Sequence, residues 1–503
     1  MSFIRLISLL GLLFSPLANG ELAQNTNPPA TTAELRQDLA NFVSQPKYVA
    51  AMWGIKVISL DSGHVLFEHN AQKLLSPASN TKLFTAALAL ERLGPDARFK
   101  TSLYAKTRPD TAGNLESDLI IYGRGDPCIN SRLGGDLVRA VAPLAAALTN
   151  AGVKRITGRL VADTSYFRGP LFGAGWAWED AEHSYGAPFS ALTINDNLVR
   201  LSVRPGANVG APCLIDLTPS ISGLTFSNRT ETAEQGSNRT LHCYRQGHVL
   251  AVSGRMPLGG AAFTQDIPAS DPEALFLTVF QAAMARQDVT VAGGSSAVNW
   301  LDRQAEPLDN WVELGTMASR PLREIVREML KASQNLYANL LLAQVGERAR
   351  AGRLDPTSEE LGIAELNRFL SSAGIKKEAA FFEEGSGLSR NNLVTPEATV
   401  TLLQFMSRHP QAAVFLHALP VAGVDGTLAD RMSGTPAAGN VRAKTGSLRW
   451  AHALSGYATS AAGERLAFSF MLNRYQGSSA NCTADLDSLA VLLASLAGRS
   501  DSP

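Results

Sequence analysis

The sequence predicts an α+β fold. One antiparallel sheet is assembled from the two ends of the chain, flanked by helices, and a long, mostly β insertion interrupts it. Three observations carry this expectation. Strand-like alternation stands near the start, in residues 55–60 and 65–67, and again near the end, in 451–458 and 466–472. Helical signals bracket these strands, in 31–43 and 483–497. Finally, Ser79-Asn80-Thr81-Lys82 and Ser333-Gln334-Asn335 are separated by 254 positions, far more chain than one core needs between them.

Residues 1–20 read as a secretory signal: Arg5, then the apolar run 6–14, then Ala18-Asn19-Gly20 with small residues for cleavage. Residues 21–30, rich in Asn, Thr and Pro, read as a flexible leader. Thr31 with Glu34 is a capping box, which starts a helix through Val43. Residues 55–60 and 65–67 flank Asp61-Ser62-Gly63, a hairpin signal. Pro77 precedes the first motif, and Leu83, Phe84, Ala87, Leu88 and Leu90 make an apolar stripe behind it. Gly94-Pro95 then stops the helix.

The insertion is expected over 98–310, leaving 31–97 and 311–503 as the catalytic part. Its strand-like segments are 119–122, 156–162, 198–203 and 249–252, and its clearest helix is 137–150. The middle motif falls in a helical stretch, 322–345. A third motif, Lys444-Thr445-Gly446, leads into strand 451–458, with Ala462-Gly463 as the turn to 466–472.

At 503 residues, two or three domains are expected. Lys+Arg and Asp+Glu are both 45. This balance argues against a nucleic-acid-binding protein and against electrostatic docking to an anionic membrane. No apolar run beyond the signal reaches membrane-spanning length, so the mature chain is expected to have no transmembrane helix. Of the four cysteines, Cys213 and Cys243 lie in one region and are the expected disulfide, with Cys128 and Cys482 unpaired. No C-x-x-C or H-E-x-x-H occurs, and neither metal nor cofactor is expected.

The three motifs together describe a serine acyl-transfer site activated by lysine. A serine hydroxyl is a weak nucleophile until a base stands within hydrogen-bond reach. Ser79 and Lys82, at i and i+3, share one helix face. At a helix N-terminus, Ser79 meets a dipole that favours developing negative charge. Burial of Lys82 and a second cation, Lys444, both lower the lysine pKa toward that of a useful base. Each motif alone is common, S-x-x-K above all; their joint occurrence in this order is not.

Longer stretches are similar to the penicillin-binding protein 4 family of low-molecular-mass D-alanyl-D-alanine carboxypeptidases and endopeptidases. They are Pro77 to Lys82, Ser333 to Ala338, Gly385-Ser386-Gly387-Leu388-Ser389-Arg390, Leu419 to Leu428, and Ala443 to Leu448. Gly125-Asp126-Pro127, Ala162 to Phe167 and Gly175-Trp176-Ala177-Trp178-Glu179-Asp180 resemble the family's inserted region. Gln334 and Glu384 depart from it, each standing where Asp is usual.

The resemblance implies a catalytic domain of the serine β-lactamase/penicillin-binding type, acting on peptidoglycan peptides and acylated by β-lactam antibiotics. It implies Ser79 as nucleophile, Lys82 as base and Ser333 as proton relay. Asn335 would bind a substrate amide and hold Lys82, and Lys444 and Thr445 would bind the terminal carboxylate. Gly446 completes that motif, and the backbone N–H groups of Ser79 and Ser447 would form the oxyanion hole. Asp180 is expected either to bind a free side-chain amine of the substrate or to be an ordinary loop acid. The rival readings are a β-lactamase, a serine esterase and an inactive wall-binding protein. Export to the periplasm is expected; carboxypeptidase-versus-endopeptidase balance and oligomeric state are left open.

Overall fold

The computed structural model describes residues 28–131, 136–220, 224–247, 249–302 and 308–500. The expected signal and most of the expected leader lie outside the described residues. Helix α1 (Thr32–Val43) starts on the capping box: Thr31 Oγ1 accepts from the Glu34 N–H, and Glu34 reaches back to the Thr31 N–H. The hairpin of β1 (Met52–Ser59) and β2 (Val65–His69) follows, then α2 (Thr81–Leu93), ended by Gly94 at φ +83°.

The chain leaves through β3 (Lys100–Ala105), runs through β4 (Leu119–Gly123), β5 (Leu160–Asp163) and β6 (Ser295–Val298), and returns through β7 (Val312–Ala318). These five form one sheet in the order β6-β5-β4-β3-β7. β7 therefore belongs with the insertion rather than with the catalytic part that was expected to begin at 311. The reason is pairing: β7 is bonded along its length to β3, and the chain regains the catalytic part only at Ser319, whose N–H donates to the Phe99 carbonyl. Smaller sheets and the buried helix Pro272–Ala285, which the sequence reading did not single out, complete the insertion around its own apolar core.

Beyond Ser319 come α3 (Leu322–Ala332), α4 (Asn335–Arg348), α5 (Ser358–Ser372) and α6 (Pro396–Arg408), then β8 (Arg442–Leu448), β9 (Ala451–Thr459), β10 (Arg465–Asn473) and α7 (Ser479–Ser495). The main sheet runs β8-β9-β10-β1-β2, antiparallel throughout, joining the two ends of the chain through β1 and β10. Its pleat sends alternate side chains to two cores. On β10, Leu466, Phe468, Phe470 and Leu472 pack toward α1 and α7, while Ala467 and Met471 pack toward α2 and α6. The helical stretch expected over 322–345 is two helices. Ser333, at φ +60°, breaks it.

The expected Cys213–Cys243 bond is absent; all four cysteines are free. The pairing explains why. The strands run in the order 225–233, 249–257, 242–246, so Cys243 lies on one edge strand, while Cys213 is bonded to Thr230 and Asn228 on the other. Two strand spacings make roughly 10 Å, beyond disulfide reach.

Candidate active site

Ser79 sits in a single 3-10 turn, Ala78–Asn80, that feeds α2. Ala78 holds φ +47°, an uncommon conformation for a residue with a Cβ, and such strain gathers at functional sites. The turn is clamped from three sides. Asn80 Nδ2 donates to Ser455 Oγ at 2.7 Å, which ties the turn to β9. Gly387 and Gly446 press against its backbone. A Cβ on Gly446 would stand 2.5 Å from the Pro77 carbonyl and 3.2 Å from the Ser79 nitrogen, so only glycine allows β8 to lie this close.

Lys82, one turn on, is wholly buried. Its Nζ lies 3.0 Å from Ser79 Oγ, 2.6 Å from Asn335 Oδ1 and 2.7 Å from the Ser386 carbonyl. The Asn335 amide is oriented by its other end, where Nδ2 donates to the Tyr185 carbonyl at 2.9 Å. Two of the three Lys82 contacts are thus pure acceptors. A neutral amine has two N–H bonds for them and one lone pair left, which faces the serine hydroxyl. Burial drives the Lys82 pKa down to about 7, opposed by the charge of Glu384. Glu384 is itself buried and accepts from the Ser386 and Gly387 N–H groups and from Asn392 Nδ2. It thereby shapes the loop that offers the Ser386 carbonyl to Lys82.

Lys444, on β8, is the second wholly buried cation. Its Nζ is 2.9 Å from Ser333 Oγ. Burial, then the charges of Lys82 and Arg431, hold its pKa well below the usual lysine range. The left-handed turn at Ser333 swings the hydroxyl away from the α3 axis toward β8. Thr445 Oγ1 donates to Thr427 Oγ1 at 2.9 Å. The Thr427 loop is held by Lys331, which reaches Asp425 and the Leu419 carbonyl, each at 2.6 Å. Ser447 is exposed at the end of β8, its Oγ 3.1 Å from His452 Nδ1.

A hydroxyl nucleophile, a neutral amine at its proton, a second amine–hydroxyl pair and an open strand edge together suit acyl transfer. A model of the D-Ala-D-Ala carboxypeptidase 3 (S13) family matches residues 35–495. The chain belongs to the D-Ala-D-Ala carboxypeptidase 3 (S13) family. It is 35% identical over 487 residues to a D-alanyl-D-alanine carboxypeptidase of Actinomadura sp. (strain R39), across 93% of this chain and 86% of that one. Penicillin-binding protein 4 of Haemophilus influenzae superposes with a TM-score of 0.79 at 25% identity, covering 91% of this chain and 99% of that one. A second structure of that protein, complexed with a β-lactam, has the same fold, with a TM-score of 0.71 at 24% identity over 90% and 97% of the two chains. This S13 chain is a serine peptidase of the D-Ala-D-Ala carboxypeptidase type.

Other residues of the expected site sit as follows. Asp180 lies in the 3-10 turn Trp178–Glu182 and accepts from the Ala177 N–H at 2.9 Å, so it caps its own turn. Burial raises its pKa against the pull of Arg390. The same segment continues to Tyr185, whose carbonyl bonds Asn335, so this stretch reaches the surroundings of Lys82. Gln334 Nε2 reaches Asp196 Oδ2 at 3.4 Å, a second link to the insertion. Sequence reasoning did not assign Asn80, Thr427, Tyr185 or Lys331 a part. Asn80 and Thr427 lay inside quoted motifs and were findable; Tyr185 acts through its carbonyl, which no side-chain pattern reveals. Among the described residues, no helix is long and apolar enough to cross a membrane.

Proposed function

We propose that this protein is exported to the periplasm and cleaves the terminal D-Ala-D-Ala bond of peptidoglycan peptides, or the equivalent D-alanyl cross-link, through a Ser79 acyl-enzyme that β-lactams also form. Ser79 Oγ attacks the D-alanyl carbonyl carbon while Lys82 takes its proton. The developing oxyanion is met by the backbone N–H groups of Ser79 and Ser447. As the tetrahedral intermediate collapses, Ser333, bonded to Lys444, passes its proton to the leaving amine and is reprotonated by the proton that Lys82 took from Ser79, so Lys82 is neutral again. Lys444 and Thr445 hold the terminal carboxylate. Water then attacks the ester, with Lys82 again accepting the proton and returning it to the departing Ser79 Oγ. The observation that carries this reading is the Lys82 environment: two obligate acceptors at 2.6 and 2.7 Å and Ser79 at 3.0 Å leave the amine lone pair for the nucleophile.

The test is covalent labelling. Wild-type protein incubated with a fluorescent penicillin should hold one adduct on Ser79, located by peptide mass spectrometry, and Ser79→Ala should hold none. An adduct on Ser333 would refute the assignment. Rapid turnover of the drug would favour a β-lactamase instead.

A further inference from the structure

The stretch from Gly173 to Tyr185 crosses from the insertion to the catalytic cleft carrying Asp180, and it is tied down at both ends. At its far end Asn335, the first residue of α4, donates to the Tyr185 carbonyl at 2.9 Å. At its near end Glu359, in the first turn of α5, accepts from the Ala174 N–H at 3.1 Å. The two helices supplying these anchors touch backbone to backbone: Gly346 of α4 has no room for a Cβ against the Ser358 carbonyl, nor Gly362 of α5 against Leu342. The arm therefore hangs from one rigid frame that also holds Asn335 against Lys82.

The near anchor is closely fitted. Gly175, at φ +73°, lies so near Glu383 Oε2 and Ser389 Oγ that a Cβ would collide with both. Gly173 lies against the Glu384 side chain, where a Cβ would stand 3.3 Å from the Glu384 Cβ. Glu359 is only 9% exposed, and its Oε1 is buried without a hydrogen-bond partner, as is Trp176 Nε1 on the arm. A buried carboxyl that spends one oxygen on a single backbone N–H contributes little to folding, since the uncompensated oxygen offsets the bond. A buried group left unsatisfied in this way calls for a reason beyond folding. Burial, together with the nearby Glu384, Glu383 and Glu360, pushes the Glu359 pKa up to about 8.

We propose that Glu359 is a positioning residue: it sets where the Gly173–Tyr185 arm lies over the cleft, and so sets the preference for substrates whose side-chain amine reaches Asp180. This rests on the reading of the site as a peptidoglycan peptidase with Asp180 facing the substrate. Acylation by penicillin, which lacks that amine, needs only the far anchor, the Tyr185 carbonyl on Asn335, and does not depend on Glu359.

The experiment compares wild type, Glu359→Ala, Glu359→Gln and Gly175→Ala. Each is assayed on a D-Ala-D-Ala peptide with a free side-chain amine, on the same peptide acetylated, and on a fluorescent penicillin. Glu359→Ala should raise KM for the free-amine peptide about tenfold with kcat nearly unchanged, the signature of lost positioning before the transition state. The acetylated peptide and penicillin labelling should change by less than about twofold. Glu359→Gln, whose amide oxygen still accepts from the Ala174 N–H, should restore the preference. Gly175→Ala, which lifts the arm without touching a carboxyl, should reproduce the KM rise and keeps the test open if Glu359→Ala does not fold. An unchanged preference in Glu359→Ala or in Gly175→Ala, or equal losses in the Ala and Gln variants, would overturn the anchoring role. Wild type that labels with penicillin yet shows no preference for the free amine overturns the Asp180 reading and this proposal with it. Wild type that does not label fails the peptidase reading itself.

Discussion

Asn335→Asp is the sharpest probe of Lys82 as a neutral base. Asn335 Oδ1 lies 2.6 Å from Lys82 Nζ, and the substitution puts a carboxylate there with almost no change in shape. Lys82 begins with a pKa of about 7, so about half of it carries the lone pair at neutral pH. A full negative charge in hydrogen-bond contact would raise that pKa to between about 8 and 10. The neutral fraction at pH 7 then falls to between about a tenth and a thousandth, and acylation should slow by about 5- to 500-fold. The loss should be recovered as pH rises toward 10. The variant also lacks the Nδ2 donor to the Tyr185 carbonyl, but that loss is independent of pH in this range and lowers the whole curve evenly. The assay is the second-order rate constant for labelling by a fluorescent penicillin from pH 5.5 to 10. Wild type should rise with pH through a midpoint near 7, and Asn335→Asp should rise through a higher one. A wild-type rate flat across pH 7, or a variant curve lowered without displacement, would refute the neutral-amine reasoning.

Three other outcomes follow from the same geometry. Lys444→Ala should cost roughly 1.5–3 kcal/mol in kcat/KM for substrates with a free terminal carboxylate, the value of a charge-assisted contact. Amidated analogues should lose less, and equal losses would exclude the carboxylate role. Asp180→Asn should lower kcat/KM for free-amine peptides relative to acetylated ones while leaving penicillin labelling nearly unchanged; an unaltered ratio would leave Asp180 as the cap of its own turn. Lys82→Met should inactivate the enzyme yet stabilise it. The folded pKa is about 7 against an ordinary 10.5, so the unfolded chain binds more protons between these values. The cost of burying Lys82 is therefore full below pH 7, where it reaches about 5 kcal/mol, and fades as pH approaches 10.5. The two acceptors and the Ser79 hydroxyl that the variant orphans reduce the gain. Thermal melts at pH 7 and pH 10 decide it: a lower Tm at pH 7 would contradict the sign.

The terminal strands, the capping box at Thr31 and the closeness of Ser79 and Lys82 were legible in the sequence. These features are carried by local periodicity and by side-chain types in short runs, and each is complete within a few residues. The turn at Ser333 was not legible, because a left-handed break inside an apolar helical pattern leaves that pattern intact. The return boundary at β7 was misread because strand 312–318 is defined by its partner β3, some two hundred residues earlier. The cysteine pairing failed for a similar reason: nearness in sequence does not say which edge of a three-stranded sheet each residue occupies. What the tertiary structure alone decided is the surroundings of Lys82. A lysine becomes a base only where burial strips its solvation and two acceptors take its N–H bonds, and those acceptors, Asn335 and the Ser386 carbonyl, lie 253 and 304 residues from Lys82. The approach of the Asp180 arm depends equally on Glu359 and on a backbone carbonyl at Tyr185, and a backbone group carries no trace in the order of the side chains.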